Sequence, residues 1–200
     1  MNAGILGGTF DPIHNGHLAI AEAARSKLKM EKVYVVPAGH PWQKQEQKVT
    51  PAEHRMAMVR LAIADLPYMR LATLEVRRPG PTYTVDTILE LRERLGGDTI
   101  LYFILGWDSL LRLPEWHDAG RLVRICYLVA APRPGFRQPD LNVLEDKVPS
   151  ISGRTVLLDG PMVAVSATEI RRRVARGLSV RDLVPEKVDS YIKQHGLYQA

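Results

Sequence analysis

Cysteine occurs once in the 200 residues, at Cys126. That excludes an internal disulfide and points to a reducing, cytoplasmic setting. The apolar run around it, residues 125–131, marks a core thiol rather than a nucleophile. No apolar stretch approaches the roughly 20 residues a membrane-spanning helix needs. No basic region precedes an apolar leader, because a strand-like run starts at Ala3. Internal repeats and Pro/Gly/Ser-rich linkers are missing as well, and so is a basic tail. The 27 Lys and Arg exceed the 22 Asp and Glu by five, but they are spread along the chain apart from Arg171-Arg172-Arg173. Nucleic-acid binding would explain such a balance, yet a site for triphosphate and phosphate substrates also needs cations. The spread favours a small anionic ligand. No spacing of His, Cys, Asp and Glu outlines a protein cage for a metal. At 46% hydrophobic residues, the chain suffices for one packed domain, 1–200, and is short for two.

What is present centres on Gly7-Gly8-Thr9-Phe10-Asp11-Pro12-Ile13-His14-Asn15-Gly16-His17. It follows the apolar residues 3–6 and precedes a helical pattern over 18–28. Strand, glycine turn and helix in that order let backbone approach a ligand closely and aim free N–H groups at an anion. Glycines after a strand are common in α/β proteins of any function, and these do not form the dinucleotide fingerprint G-x-G-x-x-G. Two imidazoles beside a phosphate-sized cradle are harder to explain as packing. The next strand, residues 32–36, ends at Pro37 and opens a loop that carries Trp42 and Lys44. A lysine at the C-terminal edge of a parallel strand can meet a ligand, or it can simply be solvated. Thr50-Pro51-Ala52-Glu53 predicts a capped helix start with a capping box. Its buried stripe would be Ala52, Met56, Val59 and Ile63, with Arg55 in a surface salt bridge.

Residues 70–76 read as a third strand. Pro79-Gly80-Pro81-Thr82-Tyr83-Thr84 then forms a rigid turn, with Thr84 as cap of a helix over 85–95. The continuous apolar run 99–105 suits a central parallel strand and ends in Gly106-Trp107-Asp108. Asp108 can accept from a ribose or cap the helix that follows. A second helix starts near Pro114, with Trp116 beside it. A fifth strand spans 125–131, a loop 136–153 and a sixth strand 155–159. Ser166 and Glu169 frame another capping box, where the helix N-terminus, the hydroxyls of Ser166 and Thr168, and Arg171 would make a second anion cradle. Arg172, Arg173 and Arg176 read as solvated. A last amphipathic helix after Pro185 packs and carries no chemistry. The alternation implies one Rossmann-like, doubly wound α/β sheet of order about 3-2-1-4-5, with residues 166–200 as a small C-terminal helical cap.

The motif G-G-T-F-D-P-I-H-N-G-H resembles the signature of the nucleotidyltransferase superfamily, and S-A-T-E-I-R at 166–171 resembles its second phosphate motif. With E-V-R-R-P-G-P-T-Y-T at 75–84, Trp116 and the C-terminal L-V-P-x-x-V-x-x-Y-I-x-x-H-G-L-Y, the chain resembles the bacterial nicotinate-nucleotide adenylyltransferase family. The resemblance implies adenylyl transfer from ATP to nicotinate mononucleotide, with Mg²⁺ carried by ATP. It implies catalytic roles for His14, His17, Lys44 and Arg171. ATP would contact Gly7, Gly8, Thr9, Phe10, His14, His17, Gly106, Asp108, Ser166, Thr168 and Arg171. Lys44, the backbone at Tyr83 and Thr84, and the Trp116 indole would hold the mononucleotide. Arg55 would brace the substrate loop. The chain departs from the family at Trp42, Trp107 and Ala167. Sister transferases acting on nicotinamide mononucleotide or phosphopantetheine stay open. So do a cytidylyltransferase, a nucleotide sensor without activity and an RNA-binding module, although no K-M-S-K-S loop is present. Neither nucleic acid nor membrane is expected as a partner, and a homo-oligomer is left open.

Overall fold

The computed structural model describes residues 1–39 and 49–199. Six parallel strands form one sheet in the order β3-β2-β1-β4-β5-β6, so the sixth strand extends the expected order at its far edge. The strands are β1 (Asn2–Gly8), β2 (Lys32–Pro37), β3 (Met69–Leu71), β4 (Ile100–Gly106), β5 (Tyr127–Ala131) and β6 (Thr155–Leu157). Side chains alternate across each strand, and both faces of the sheet are covered. Ala3, Ile5, Leu101, Phe103, Leu128 and Ala130 belong to the core on one face. Leu6, Val33, Val35, Ile104, Val129 and Ala131 belong to the other. That two-sided burial is why the central strands read as unbroken apolar runs.

The first face packs helices α4 (Thr84–Leu95) and α6 (Ala119–Ile125), with the short α5 (Trp107–Leu111) at the end of β4. The other packs α1 (Asn15–Leu28), α2 (Ala52–Ala62), α9 (Ala167–Ala175) and α10 (Glu186–Gln194). The helices α3 (Leu74–Arg77), α7 (Leu141–Glu145) and α8 (Ile151–Arg154) are single turns. Val180, Val184, Val188 and Ile192 sink the C-terminal segment into the α1/α2 side of the core.

Several expectations are corrected. Helix α1 starts at Asn15, three residues before Leu18, because His14 caps it. Thr50 is not the cap of α2: Pro51 holds that position, without a side-chain bond. The stripe that α2 buries is Arg55, Met58, Val59 and Ala62, one step around the helix from the expected one. The third strand stops at Leu71, and residues 74–77 turn helical. Thr84 is the first residue of α4, with Tyr83 at its cap. β5 starts at Tyr127, and β6 ends at Leu157. The segment 136–153 contains α7 and the start of α8, with Leu144, Val148 and Ile151 buried. Apolar anchors hold it where its irregular period suggested none.

Candidate active site

The sheet reverses its winding between β1 and β4, and ligands of open α/β sheets bind outside the strand ends at such a point. A cavity of about 410 Å³ lies there, lined by Gly7, His14, Gly16, His17, Gly106, Ser109, Trp116, Arg133, residues 163–165 and Ser166. A second, of about 180 Å³, abuts it and is lined by Gly7, Gly8, Thr9, Ala38, Glu75, Thr82, Thr84, Phe103, Ser109 and Trp116. Gly7, Phe103, Ser109 and Trp116 border both. The turn after β1 comes close enough for this because Gly7 has no side chain. A Cβ there would meet the Phe103 ring at 3.1 Å.

The histidines are organised by the start of α1. Nδ1 of His14 accepts from the backbone N–H of His17 at 3.4 Å, and Nδ1 of His17 accepts from that of His14 at 3.2 Å. The rings stack with centroids 3.6 Å apart. This reciprocal cap satisfies two N–H groups at the helix start and leaves Nε2 as the ring nitrogen that carries the proton. Burial, reinforced by the Arg133 cation, lowers the His14 pKa to about 4. His14 is therefore a neutral donor at pH 7, not a cation.

The turn itself is gripped from distant elements. Arg55 is buried, and its guanidinium donates to the carbonyls of Thr50, Thr9 and Ala38, each at 2.8 Å. Of the two roles expected for Arg55, the surface salt bridge is not the one it makes, and its guanidinium holds two loops together instead. Burial lowers its pKa, against the pull of Asp11. Arg171 donates to the Asp11 carbonyl at 2.7 Å and to the Thr168 hydroxyl at 3.4 Å. At the start of α9, Ser166 accepts from the Glu169 N–H at 3.2 Å. The other half of that capping box is not made, since Glu169 pairs with Arg172 and Arg173.

Gly7, His14, His17, Gly106, Trp116 and Ser166 thus come together around the larger cavity, and Gly7, Gly8, Thr9, Thr84 and Trp116 around the smaller one. Six side chains singled out in the sequence stand outside these walls. Phe10 is buried behind the turn, edge-on to His17 with ring centroids 5.0 Å apart. The Tyr83 ring stacks on His117 at 4.2 Å. Asp108 lies 3.4 Å from Arg133. Thr168 and Arg171 engage each other and the turn. Trp107 faces the core. Lys44 and Trp42 lie outside the described residues.

Arg133, Ser109, Glu75 and residues 163–165 were not anticipated. Arg133 had a usable signal, a cation just past the end of an apolar strand between two prolines. Glu75, in the smaller cavity, accepts from the Thr87 hydroxyl at 2.8 Å, and burial raises its pKa. Among the described residues no His/Cys/Asp/Glu cluster could hold a metal ion. The Asp11 carboxylate is already engaged by Tyr198 and the Thr50 N–H.

A doubly wound sheet with its cleft at the switch point, a glycine turn and two helix N-termini on that cleft, defines a nucleotide-binding α/β domain. The comparisons with known proteins are more specific. A family model described as cytidylyltransferase-like matches residues 5–173. A probable nicotinate-nucleotide adenylyltransferase of Dehalococcoides mccartyi (strain CBDB1) is 48% identical over 198 residues, covering 99% of this chain and 97% of that protein. One of the same description from Thermomicrobium roseum is 43% identical over 196 residues, covering 98% and 91%. The chain belongs to the cytidylyltransferase-like family, among its nicotinate-nucleotide adenylyltransferases. The structure of Plasmodium falciparum nicotinic acid mononucleotide adenylyltransferase complexed with APC has the same fold, with a TM-score of 0.79 at 22% identity, covering 98% of this chain and 96% of that one. The structure described as the complex with NaAD gives 0.77 at 22% identity, covering 98% and 97%.

Proposed function

We propose that this chain joins ATP and nicotinate mononucleotide to give deamido-NAD and pyrophosphate. The single observation that carries the reading is the pair of abutting cavities with shared walls, one beside the histidines and Arg133, the other beside Trp116. A phosphate oxygen of the mononucleotide attacks the α-phosphorus, the bond from that phosphorus to the bridging oxygen of the β-phosphate breaks, and pyrophosphate leaves. The attacking oxygen is already anionic at pH 7, so no general base and no covalent intermediate are needed. The protein's task is in-line positioning and stabilisation of developing charge.

In this reading the Nε2–H groups of His14 and His17, the N-terminus of α9 and Arg133 face the triphosphate. Lys44 and Arg171 add cations, the latter once released from the Asp11 carbonyl. Gly106 and Asp108 flank the nucleoside of ATP, and Thr9, on the smaller cavity, lies toward the mononucleotide. Thr84 and the Tyr83 backbone, at the start of α4, meet the pyridine carboxylate, and the Trp116 indole lies on the ring. Mg²⁺ supplies charge neutralisation on the phosphates when bound, held mainly by ATP oxygens. No described helix is long and apolar enough to cross a membrane, and the cytoplasm is the compartment in which this reaction would run.

The test is pyrophosphate release with ATP and Mg²⁺, run in parallel with nicotinate mononucleotide, nicotinamide mononucleotide and phosphopantetheine. Release with the first alone is expected. Release only with phosphopantetheine would keep the chemistry and overturn the acceptor, and no release with any of the three would overturn the reading.

A further inference from the structure

The last residues of the chain reach back to the turn after β1. Helix α10 ends in a Schellman motif: Gly196 adopts φ 59°, its N–H donates to the Lys193 carbonyl, and Leu197 N–H donates to that of Ile192 at 3.0 Å. The chain thereby folds back, and the Tyr198 hydroxyl donates to Asp11 Oδ1 at 2.7 Å across 187 positions of sequence. The other carboxylate oxygen accepts from the Thr50 N–H at 3.2 Å. Asp11 is only 4% exposed, and its own carbonyl is held by Arg171. One buried carboxylate thus joins the phosphate turn, the chain entering α2 and the C-terminal tail. Both ends of the link carry unusual backbone: Tyr198 has φ 64° and Phe10, next to Asp11, has φ 50°. Left-handed conformations at such residues persist only where the surroundings over-determine them.

We propose that Tyr198 is a positioning residue for the phosphate site: its phenol holds the Asp11 carboxylate, which fixes the turn that presents His14 to the cleft. The link is a hydrogen bond to a buried charge, the kind whose loss costs most. Phenylalanine at 198 would keep the ring, which packs into the α1/α2 core, and remove only the donor. The kinetic readout rests on the adenylyl-transfer reading; a second readout does not.

The experiment compares the full-length wild type with Tyr198→Phe, Asp11→Asn and the double variant. It reads kcat and KM for ATP well below the melting temperature, and amide hydrogen exchange over residues 9–15. For Tyr198→Phe the expected result is kcat lowered about tenfold, the scale of one charge-assisted bond, with KM for ATP within about threefold. Exchange over 9–15 should rise about tenfold on the same scale, with the strands unchanged. The double variant should lie within about twofold of the worse single, because coupled partners are non-additive. Wild-type kcat and wild-type exchange in Tyr198→Phe would overturn the proposal, and so would an additive double. A lowered melting temperature with unchanged kcat would also overturn it, leaving Tyr198 a packing residue. Should Tyr198→Phe not fold, Asp11→Asn decides: retained kcat and retained protection of 9–15 would overturn the link. Absence of pyrophosphate release in the wild type would defeat the reaction reading, while the exchange comparison would still decide the role of Tyr198.

Discussion

The two cavities of the cleft share four wall residues and differ in nearly everything else. The larger one sets charge beside an apolar wall that includes Leu6, Ile20, Ile104, Leu105 and Val163. It has Arg133 on one side, two stacked imidazoles on another and the N-terminus of α9 at its edge. The smaller one is built for shape. Its own walls are Gly8, Thr9, Ala38, Thr82 and Thr84 with one acid, Glu75, whose pKa burial raises, and the shared Trp116 and Phe103 meet edge to face with centroids 6.0 Å apart. A polyphosphate suits the charged side of the first, and a flat ring can lie against the Trp116 wall that both share. Because Gly7, Phe103, Ser109 and Trp116 serve both, the two ligands would meet at the turn after β1 without a separate docking step. The division of labour lies in which side chains surround the shared residues Gly7, Phe103, Ser109 and Trp116, not in separate domains.

The comparison breaks most sharply at His17. Under the proposed reaction, His17→Ala removes a donor from the polyphosphate side and one half of the reciprocal cap. It should lower kcat by ~10²-fold, the scale of losing a transition-state donor, with KM for the pyridine mononucleotide nearly unchanged. Steady-state pyrophosphate release measures this, and a variant with normal turnover would remove the imidazole from the mechanism. The smaller cavity gives a more modest effect of the opposite kind. Trp116→Ala should raise KM for nicotinate mononucleotide by about tenfold, from lost stacking and apolar contact, while KM for ATP stays within about threefold. Trp116→Phe should recover part of the loss. Equal changes for both substrates would show that the shared wall, and not a ring subsite, is what the indole maintains.

How far the sequence reveals this cleft depends on the range of each interaction. The β1 turn and the start of α1 are visible because strand, glycines and histidines are contiguous. Even so, the helix start is displaced, since histidine is an unusual N-cap and the reciprocal bond with His17 has no familiar pattern. Arg55 reads as a surface residue because arginine is rarely buried. Its acceptors are backbone carbonyls 5, 17 and 46 positions away, a partner set that no side-chain motif encodes. The Tyr198–Asp11 link lies beyond local reading altogether. The segment 136–153 hides its helices for another reason: turns of four or five residues show no helical period, and only the spacing of Leu144, Val148 and Ile151 carries their burial. Arg171 is expected at the site from its motif, whereas the structure shows it engaged with the Asp11 carbonyl, a contact that depends on how α9 packs.

The smallest effect at neutral pH sharpens the electrostatic side of the comparison in the protein without ligand. His14 has a pKa near 4 in the folded chain and about 6.5 when unfolded. Between those values the unfolded chain takes up a proton that the folded one refuses, so stability falls as pH drops from about 6.5 to about 4. Below about 4 both states are protonated and the contribution is flat, and at pH 7 it vanishes. His14→Asn keeps a side-chain oxygen for the helix cap and removes the titrating ring. Urea midpoints of wild type and variant should agree in slope above pH 7 and diverge below about 6.5, with the wild type losing stability more steeply. Parallel curves would mean that burial beside Arg133 does not hold the ring neutral. His14 would then keep an ordinary imidazole pKa near 6.5 and be partly cationic at pH 7, and the charged side of the cleft would have a second positive group beside Arg133.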